Sequence, residues 1–198
     1  EKNSSIKLLN TLDEKMALIE SFGIDFLVII PFNQEFANLS ANKLISEILV
    51  KQLKTSILYI GYDHQFGKNR EGNFQLLKEK SNIYNFTVHE IDAFCVQEVE
   101  ISSTKIRKHL ADGNISKAFK FLNYHYFITG KVVKGKNIGE KINFPTANIK
   151  VKEPYKLIPK DGVYVVKSTF DNKTLYGMMN IGNRPTVNGK NQSIEVHF

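Results

Sequence analysis

The sequence is short of cysteine and of long apolar runs. Its single cysteine, Cys95, excludes an intrachain disulfide framework and any cysteine-built zinc site. A reducing cytosol, and so a cytoplasmic protein, is the natural expectation. The longest apolar stretch runs from about Ile24 to Phe32, well short of the ~20 residues that a membrane-spanning helix needs. No basic-then-apolar segment opens the chain, so no secretory signal is visible. The chain begins at Glu1 and not at Met, which leaves a leader removed before it as an open alternative. There is no internal repeat and no low-complexity segment. His64, His89, His109 and His125 show no metal-ligand spacing and join no Ser-His-Asp arrangement.

The 198 residues are 42% hydrophobic and 24% charged, an ordinary globular balance that argues against disorder. The length allows one large domain or two small ones. The net charge of +7 is unevenly placed: Glu1 to Tyr124 holds 15 basic and 15 acidic residues, His125 to Phe198 holds 12 and 5. Such a basic second part suits an anionic ligand, either a nucleic acid or a phosphorylated small molecule. A solvated lysine-rich surface is the plain alternative.

Pattern also divides the chain. Thr11-Leu-Asp-Glu14 reads as a capping box for a helix that stops at Gly23. Ile24 to Pro31 has the length and character of a buried strand. Ser40 can cap a second helix with Leu44, Ile48 and Leu53 near one face, and Ser56 to Gly61 reads as a second buried strand. A helix over Asn73–Lys80, a strand over Asn85–Ile91, and helices over Ser103–Asp112 and Ser116–Leu122 come next. Alternation of this kind predicts a parallel sheet with helices on its faces. From Tyr126 onward short β-rich segments dominate, which predicts an antiparallel barrel or sandwich. The boundary falls near Asn123–His125, giving domains 1–123 and 124–198.

Five stretches could carry chemistry. Gly61-Tyr-Asp-His-Gln-Phe-Gly67-Lys-Asn-Arg-Glu-Gly72 comes directly after a strand, the place where open α/β sheets bind ligands. Its glycines let backbone amides approach a ligand, and Arg70 can meet a phosphate; a turn with a surface arginine would look the same. Ile101-Ser-Ser-Thr-Lys-Ile-Arg107 opens a helix, and its hydroxyls, free amides and Arg107 suit an anion as well as simple capping. Gly130-Lys-Val-Val-Lys-Gly135-Lys-Asn-Ile-Gly139 suits a loop over a polyphosphate or a lysine-rich hairpin. Thr146 and Asn148 in Asn143-Phe-Pro-Thr-Ala-Asn148 point the same way on an extended segment and are hard oxygen donors of the kind Mg²⁺ accepts. In Ser193-Ile-Glu-Val-His-Phe198, Glu195 and His197 face away from Ile194 and Val196, so Glu195 is either a general base or a solvated carboxylate.

Together these stretches resemble the bacterial bifunctional riboflavin kinase/FAD synthetase family. Gly61–Gly72 resembles its Gly-x-Asp-Phe-x-Phe-Gly-x-x-Arg-x-Gly motif, with His64 where Phe is usual. Ile101–Arg107 resembles Ile-Ser-Ser-Thr-x-Ile-Arg, and Phe144–Asn148 resembles the Pro-Thr-Ala-Asn element with its preceding Phe. Asp161-Gly-Val-Tyr164, Asn180-Ile-Gly-Asn-Arg-Pro-Thr186 and the Glu-Val-His of 195–197 also fit, in order, across nearly the whole chain.

The resemblance implies an α/β Rossmann-like nucleotidyltransferase domain that transfers AMP from ATP to FMN, making FAD. It implies next an all-β, six-stranded Greek-key barrel that phosphorylates riboflavin to FMN. Gly61, Asp63, Phe66, Gly67 and Arg70, with Ser102, Ser103, Thr104 and Arg107, would bind nucleotide in the first. In the second, Gly130, Lys131, Gly135, Gly139, Pro145, Thr146 and Asn148 would bind ATP and its phosphates. Thr146 and Asn148 would hold Mg²⁺, and Glu195 would be the base for the riboflavin hydroxyl. The implied partners are small molecules (riboflavin, FMN, FAD and ATP), with no nucleic acid and no membrane. A single-activity relative and a non-catalytic nucleic-acid binder are the alternatives. The family's opening Gly-x-Phe-Asp-Gly-x-His-x-Gly-His loop has no counterpart here, and the chain stops soon after Glu195. The expectation is therefore a partial chain, lacking adenylylation and with weak or no kinase activity if these residues stand alone.

Overall fold

The computed structural model describes residues 6–96, 99–135, 145–171, 173–186 and 189–198. The chain forms two compact units, Phe26–Glu100 and a second made of Glu1–Asp25 with Ile101–Phe198. Among the described residues no helix is long and apolar enough to cross a membrane.

The unit Phe26–Glu100 is a strand-helix-strand element with helices beside it. Strands β1 (Ile57–Gly61) and β2 (Thr87–Ile91) run parallel in register from Ile57↔Thr87 to Gly61↔Ile91. Helix α4 (Phe74–Tyr84) connects them, longer than the predicted Asn73–Lys80. Asn73 caps it by accepting from the Leu76 amide at 3.0 Å, and Asn85 ends it in the left-handed conformation at φ 56°. Ile45, Ile60, Leu77 and Phe86 form the core, with Leu58, Phe66 and Val88 against it.

Three expectations for this unit are corrected. Ile24–Pro31 is not a strand, and Phe26 is 88% exposed. An apolar run becomes a strand only where a ladder takes up its N–H and C=O groups, and β1 and β2 pair only with each other. Ser56–Gly61 is a strand but not a buried one: Ile60 packs inward while Tyr59 is 64% exposed on the other face. Ser40 does cap a helix, α3 (Ala41–Lys43), through the Lys43 amide at 3.3 Å. The chain then winds as a π-helix over Leu44–Gln52. Ile45, Leu49 and Val50 turn to the core, while Leu53, expected near one face with Leu44 and Ile48, is 47% exposed. A short helix α2 (Gln34–Ala37) and the paired strands β3 (Cys95–Val96) and β4 (Val99–Glu100) complete the unit.

In the other unit, helix α1 (Leu12–Ser21) starts at the predicted capping box: the Glu14 amide donates to Thr11 Oγ1 at 3.2 Å and the Thr11 amide to Glu14 Oε2 at 2.9 Å. Helices α5 (Ser103–Ala111) and α6 (Ile115–Leu122) pack Ile106, Leu110 and Ala118 into a core with Leu9, Tyr126 and Leu157. Five antiparallel strands make one sheet: β5 (Lys131–Val133), β6 (Ala147–Lys150), β7 (Gly162–Phe170), β8 (Lys173–Thr186) and β9 (Gly189–His197). Their spatial order is β5-β6-β9-β8-β7. Among the described residues this is a five-stranded antiparallel sheet. Ile181, Ile194 and Val196 are buried on one face.

A buried ion pair joins three segments of this unit. Lys156 Nζ lies 2.6 Å from Glu14 Oε2, with side chains 0% and 1% exposed. All three ammonium hydrogens are used, the other two on the carbonyls of Leu9 (2.7 Å) and Phe127 (2.9 Å). Glu14 Oε1 accepts the Thr129 amide at 2.9 Å. The ammonium also sits 4.3 Å from the centre of the Tyr126 ring. Burial pulls the Lys156 ammonium below its ordinary pKa, against the opposing pull of Glu14. Removing one partner strands the other charge in the interior. Lys156→Met is therefore expected to cost about 3–5 kcal/mol in urea unfolding, and Lys156→Met/Glu14→Gln to recover part of that loss.

Candidate active site

The sheet brings Thr146, Asn148 and Glu195 to one place. Strands β6 and β9 pair Ala147 with Val196 and Asn148 with Glu195. Alternation turns Val196 to the core and Asn148 and Glu195 to the opposite face. Thr146, two residues before Asn148, donates its hydroxyl to Glu195 Oε2 at 3.3 Å. On the far side of β9, Asn180 of β8 is the direct partner of Glu195, so Glu195 stands on a strand flanked by two asparagines. Gly135 passes close by, and a Cβ there would run into the Asn148 side-chain amide. A larger residue there would require the Asn148 amide to move aside. Gly130 and Lys131 lie at the start of β5, opposite Ile149 and Lys150. Gly139 lies outside the described residues, as do Asn143 and Phe144. Pro145 carries its carbonyl 2.7 Å from His197 Nδ1.

A hydroxyl, two amides and a carboxylate thus converge on one sheet face. Thr146, Asn148 and Glu195 offer hard oxygen donors suited to Mg²⁺ beside phosphate, with a carboxylate able to take a proton. Among the described residues no group of three or more His, Cys, Asp or Glu could hold a metal ion. Any cation here would therefore lean on phosphate oxygens as well. Sequence reasoning missed Asn180 as a neighbour of Glu195. Strand register alone puts the two side by side, and no spacing in the sequence encodes it.

The nucleotide candidates fall in two groups. Gly61, Asp63, Phe66, Gly67 and Arg70 lie on the loop after β1, in the unit Phe26–Glu100. Phe66 and Gly72 exchange backbone hydrogen bonds of 3.0 and 2.8 Å that close the loop. Glu71 Oε1 accepts the Ala41 amide at 2.7 Å, and the Lys68 amide donates to the Leu39 carbonyl at 2.8 Å, fastening the loop to the start of α3. Gly67 has φ +76°, and a Cβ there would lie 2.6 Å from the Ala41 nitrogen. Asn69 and Arg70 are also left-handed, at φ 56° and 60°. Arginine in that region is strained, as backbone at a ligand site often is. Tyr62, at the mouth of the loop, donates to Glu100; that bond first, then burial, pushes its phenol up to about 12.

The second group lies on α5, in the other unit. Ser102 caps the helix by accepting the Lys105 amide at 3.3 Å. Ser103 and Thr104 stand in the first turn, where Arg107 donates to Thr104 Oγ1 at 3.0 Å. Capping and a helix-turn hydrogen bond account for two of the three hydroxyls. His64, at the motif's usual Phe position, stacks on Phe66 with ring centres 6.4 Å apart.

A strand-helix-strand unit with a glycine-containing loop after β1, beside a β-rich unit with a polar cluster on its sheet, is the class of protein that the structure defines. Comparison with known families agrees. The FAD synthetase model matches residues 1–105 and the riboflavin kinase model residues 122–198. The chain belongs to the bifunctional riboflavin kinase/FAD synthetase family. It is 40% identical over 191 residues to the bifunctional riboflavin kinase/FMN adenylyltransferase of Escherichia coli K12, covering 96% of this chain and 60% of that protein. It is 42% identical over 201 residues to the enzyme of the same name from Buchnera aphidicola of Schizaphis graminum, covering 100% and 64%. A solved structure described as a macrolide-efflux protein from Streptococcus pneumoniae matches with a TM-score of 0.83 at 28% identity, over 96% of this chain and 60% of that one. The chain thus spans about 60% of the length of the Escherichia coli relative.

The loop geometry makes a paired prediction. Gly67→Ala places a side chain against the α3 backbone at positive φ and is expected to lower stability by about 1–2 kcal/mol or more. Arg70→Gly relieves a left-handed arginine and is expected to leave stability unchanged or raised. Chemical unfolding of the two variants beside the parent chain checks both.

Proposed function

We propose that this chain carries the site residues of two flavin-making reactions, phosphorylation of riboflavin to FMN and adenylylation of FMN to FAD. The observation that carries the reading is the meeting of Thr146, Asn148 and Glu195 on one face of the sheet, with the Thr146 hydroxyl 3.3 Å from the Glu195 carboxylate. In the kinase reaction the Glu195 carboxylate accepts the proton of the riboflavin 5′-hydroxyl as that oxygen attacks the γ-phosphorus of ATP, and ADP leaves. Thr146 and Asn148 hold Mg²⁺ and phosphate oxygens; the cation, when bound, neutralises charge on the transferred group. Gly130, Lys131 and Gly135 bring backbone and positive charge to the same phosphates, and the family resemblance adds Gly139 to this set. The basic excess of the second part supports this assignment, because MgATP and the developing phosphoryl charge both need offsetting. Its twelve basic residues against five acidic ones then serve small phosphorylated substrates, with neither nucleic acid nor membrane as a partner.

In the adenylylation reaction an FMN phosphate oxygen attacks the α-phosphorus of ATP and pyrophosphate leaves. Gly61, Asp63, Phe66, Gly67 and Arg70 bind nucleotide, and Ser102, Ser103, Thr104 and Arg107 grip phosphates. In this reading the domains are 1–123 and 124–198, the first Rossmann-like and the second a six-stranded Greek-key barrel. The two family-model matches support that division. Both reactions draw on ATP and free flavin, which puts them in the cytoplasm.

Incubation of the full-length protein with riboflavin and MgATP, followed by chromatographic separation of flavins, tests the reading. FMN is expected from the kinase part and FAD wherever adenylylation is complete. Unchanged riboflavin overturns the kinase assignment. Glu195→Gln is expected to lower the rate of FMN formation by about 10²–10⁴-fold.

A further inference from the structure

His197 sits where the β6–β9 ladder ends. The last residues that pair across it are Ala147 and Val196, and His197 is the next position along β9. On its other side His197 is paired with Met178 of β8, which fixes its backbone. Its side chain reaches toward the segment before β6: Nδ1 lies 2.7 Å from the Pro145 carbonyl oxygen. That oxygen only accepts, so Nδ1 is the protonated nitrogen. Proline has no N–H and cannot donate to a ladder. The imidazole therefore ties this segment to β9 through a side chain, immediately before Thr146.

We infer that His197 is a positioning residue for the kinase site, holding the Pro145–Thr146 segment so that Thr146 stays against Glu195. The inference rests on the kinase reading above, and it assigns to His197 a part that its sequence position does not reveal. The path is short and runs through named atoms. His197 Nδ1–H holds the Pro145 carbonyl; Thr146 is the next residue; its hydroxyl donates to Glu195 Oε2 at 3.3 Å; and Glu195 lies two residues before His197 on the same strand face. This closed circuit ties the phosphate-side donors Thr146 and Asn148 to the strand that carries the base. The tie matters because a shift of about 1 Å at a positioning group can cost ~10²-fold in rate.

Two variants and one spectroscopic measurement test this. His197→Phe keeps the ring and removes the donor. His197→Asn places an amide N–H at the same distance along the side chain as Nδ1–H. In the flavin assay His197→Phe is expected to lower kcat for FMN formation by about 10–10²-fold with the KM for riboflavin little changed, and His197→Asn to restore most of the rate. Thermal unfolding runs beside the kinetics, since a purely structural role would lower Tm in His197→Phe without changing kcat of the folded protein. Long-range ¹H–¹⁵N correlation at alkaline pH is expected to show the neutral His197 ring protonated at Nδ1. An Nε2-protonated ring, or FMN formation by His197→Phe equal to the parent chain, overturns the inference. A parent chain that makes no FMN at all overturns instead the kinase reading on which it rests.

Discussion

The ion pair between Glu14 and Lys156 is the contact on which the larger unit depends. Taking an ammonium and a carboxylate out of water costs several kcal/mol per ion, and only near-complete hydrogen bonding offsets it. Here the three ammonium donors meet Glu14, Leu9 and Phe127. The carboxylate takes the Thr11 and Thr129 amides as well. Charges so satisfied fix geometry, because any displacement leaves a buried group unpaired. The first turn of α1, the chain around Phe127–Thr129 and the segment at Lys156 are thereby held to one arrangement. Leu157, next to Lys156, then enters the core of α5 and α6, while Tyr126 donates to its carbonyl at 2.6 Å. Burial raises the Tyr126 phenol above its ordinary value, which keeps that donor protonated. The helix bearing Ser102–Arg107 and the sheet bearing Glu195 therefore belong to one folded unit, although the FAD synthetase match ends within that helix and the riboflavin kinase match covers the sheet.

The sheet supplies the second requirement of function, a rigid platform. Glu195 sits on β9, bonded to β6 on one side and β8 on the other. A central strand cannot shift register without turning its buried Ile194 and Val196 outward. Asn148 and Asn180 are positioned by the same register, and Thr146 by its place two residues before Asn148. Sites built on strands hold their geometry more closely than sites built on loops. The Gly61–Gly72 loop achieves rigidity differently. It closes on itself through Phe66 and Gly72 and is fastened by Glu71 to the α3 amide. Its cost is left-handed backbone at Gly67, Asn69 and Arg70.

Much of this was legible in the sequence because the signals are local. A capping box is complete within four residues, and α1 begins at Thr11 as predicted. The helices at α4, α5 and α6 and the β-rich second part arise from periodicity and caps that neighbours do not override. Ile24–Pro31 shows where such reasoning ends. Its composition is that of a buried strand, but a strand exists only with a partner, and none of the described strands pairs with it. The π-helix at Leu44–Gln52 is a similar case. Its apolar residues are visible in the sequence, but the wider winding decides which of them are buried.

The residue types of the site, Thr146, Asn148 and Glu195, and their motifs were determined by the sequence alone. So were the basic excess of the second part, the capping signals and the alternation that turns Glu195 away from Ile194 and Val196. Tertiary structure decided which of these side chains meet. Residues 49 apart, Thr146 and Glu195, touch because strand order and register join β6 to β9. Lys156 reads in sequence as one surface lysine among many, yet it is fully buried because Glu14, 142 residues away, completes its hydrogen bonds. Local propensity acts over a few residues. Burial, register and ion pairing depend on what the rest of the chain brings to the same place.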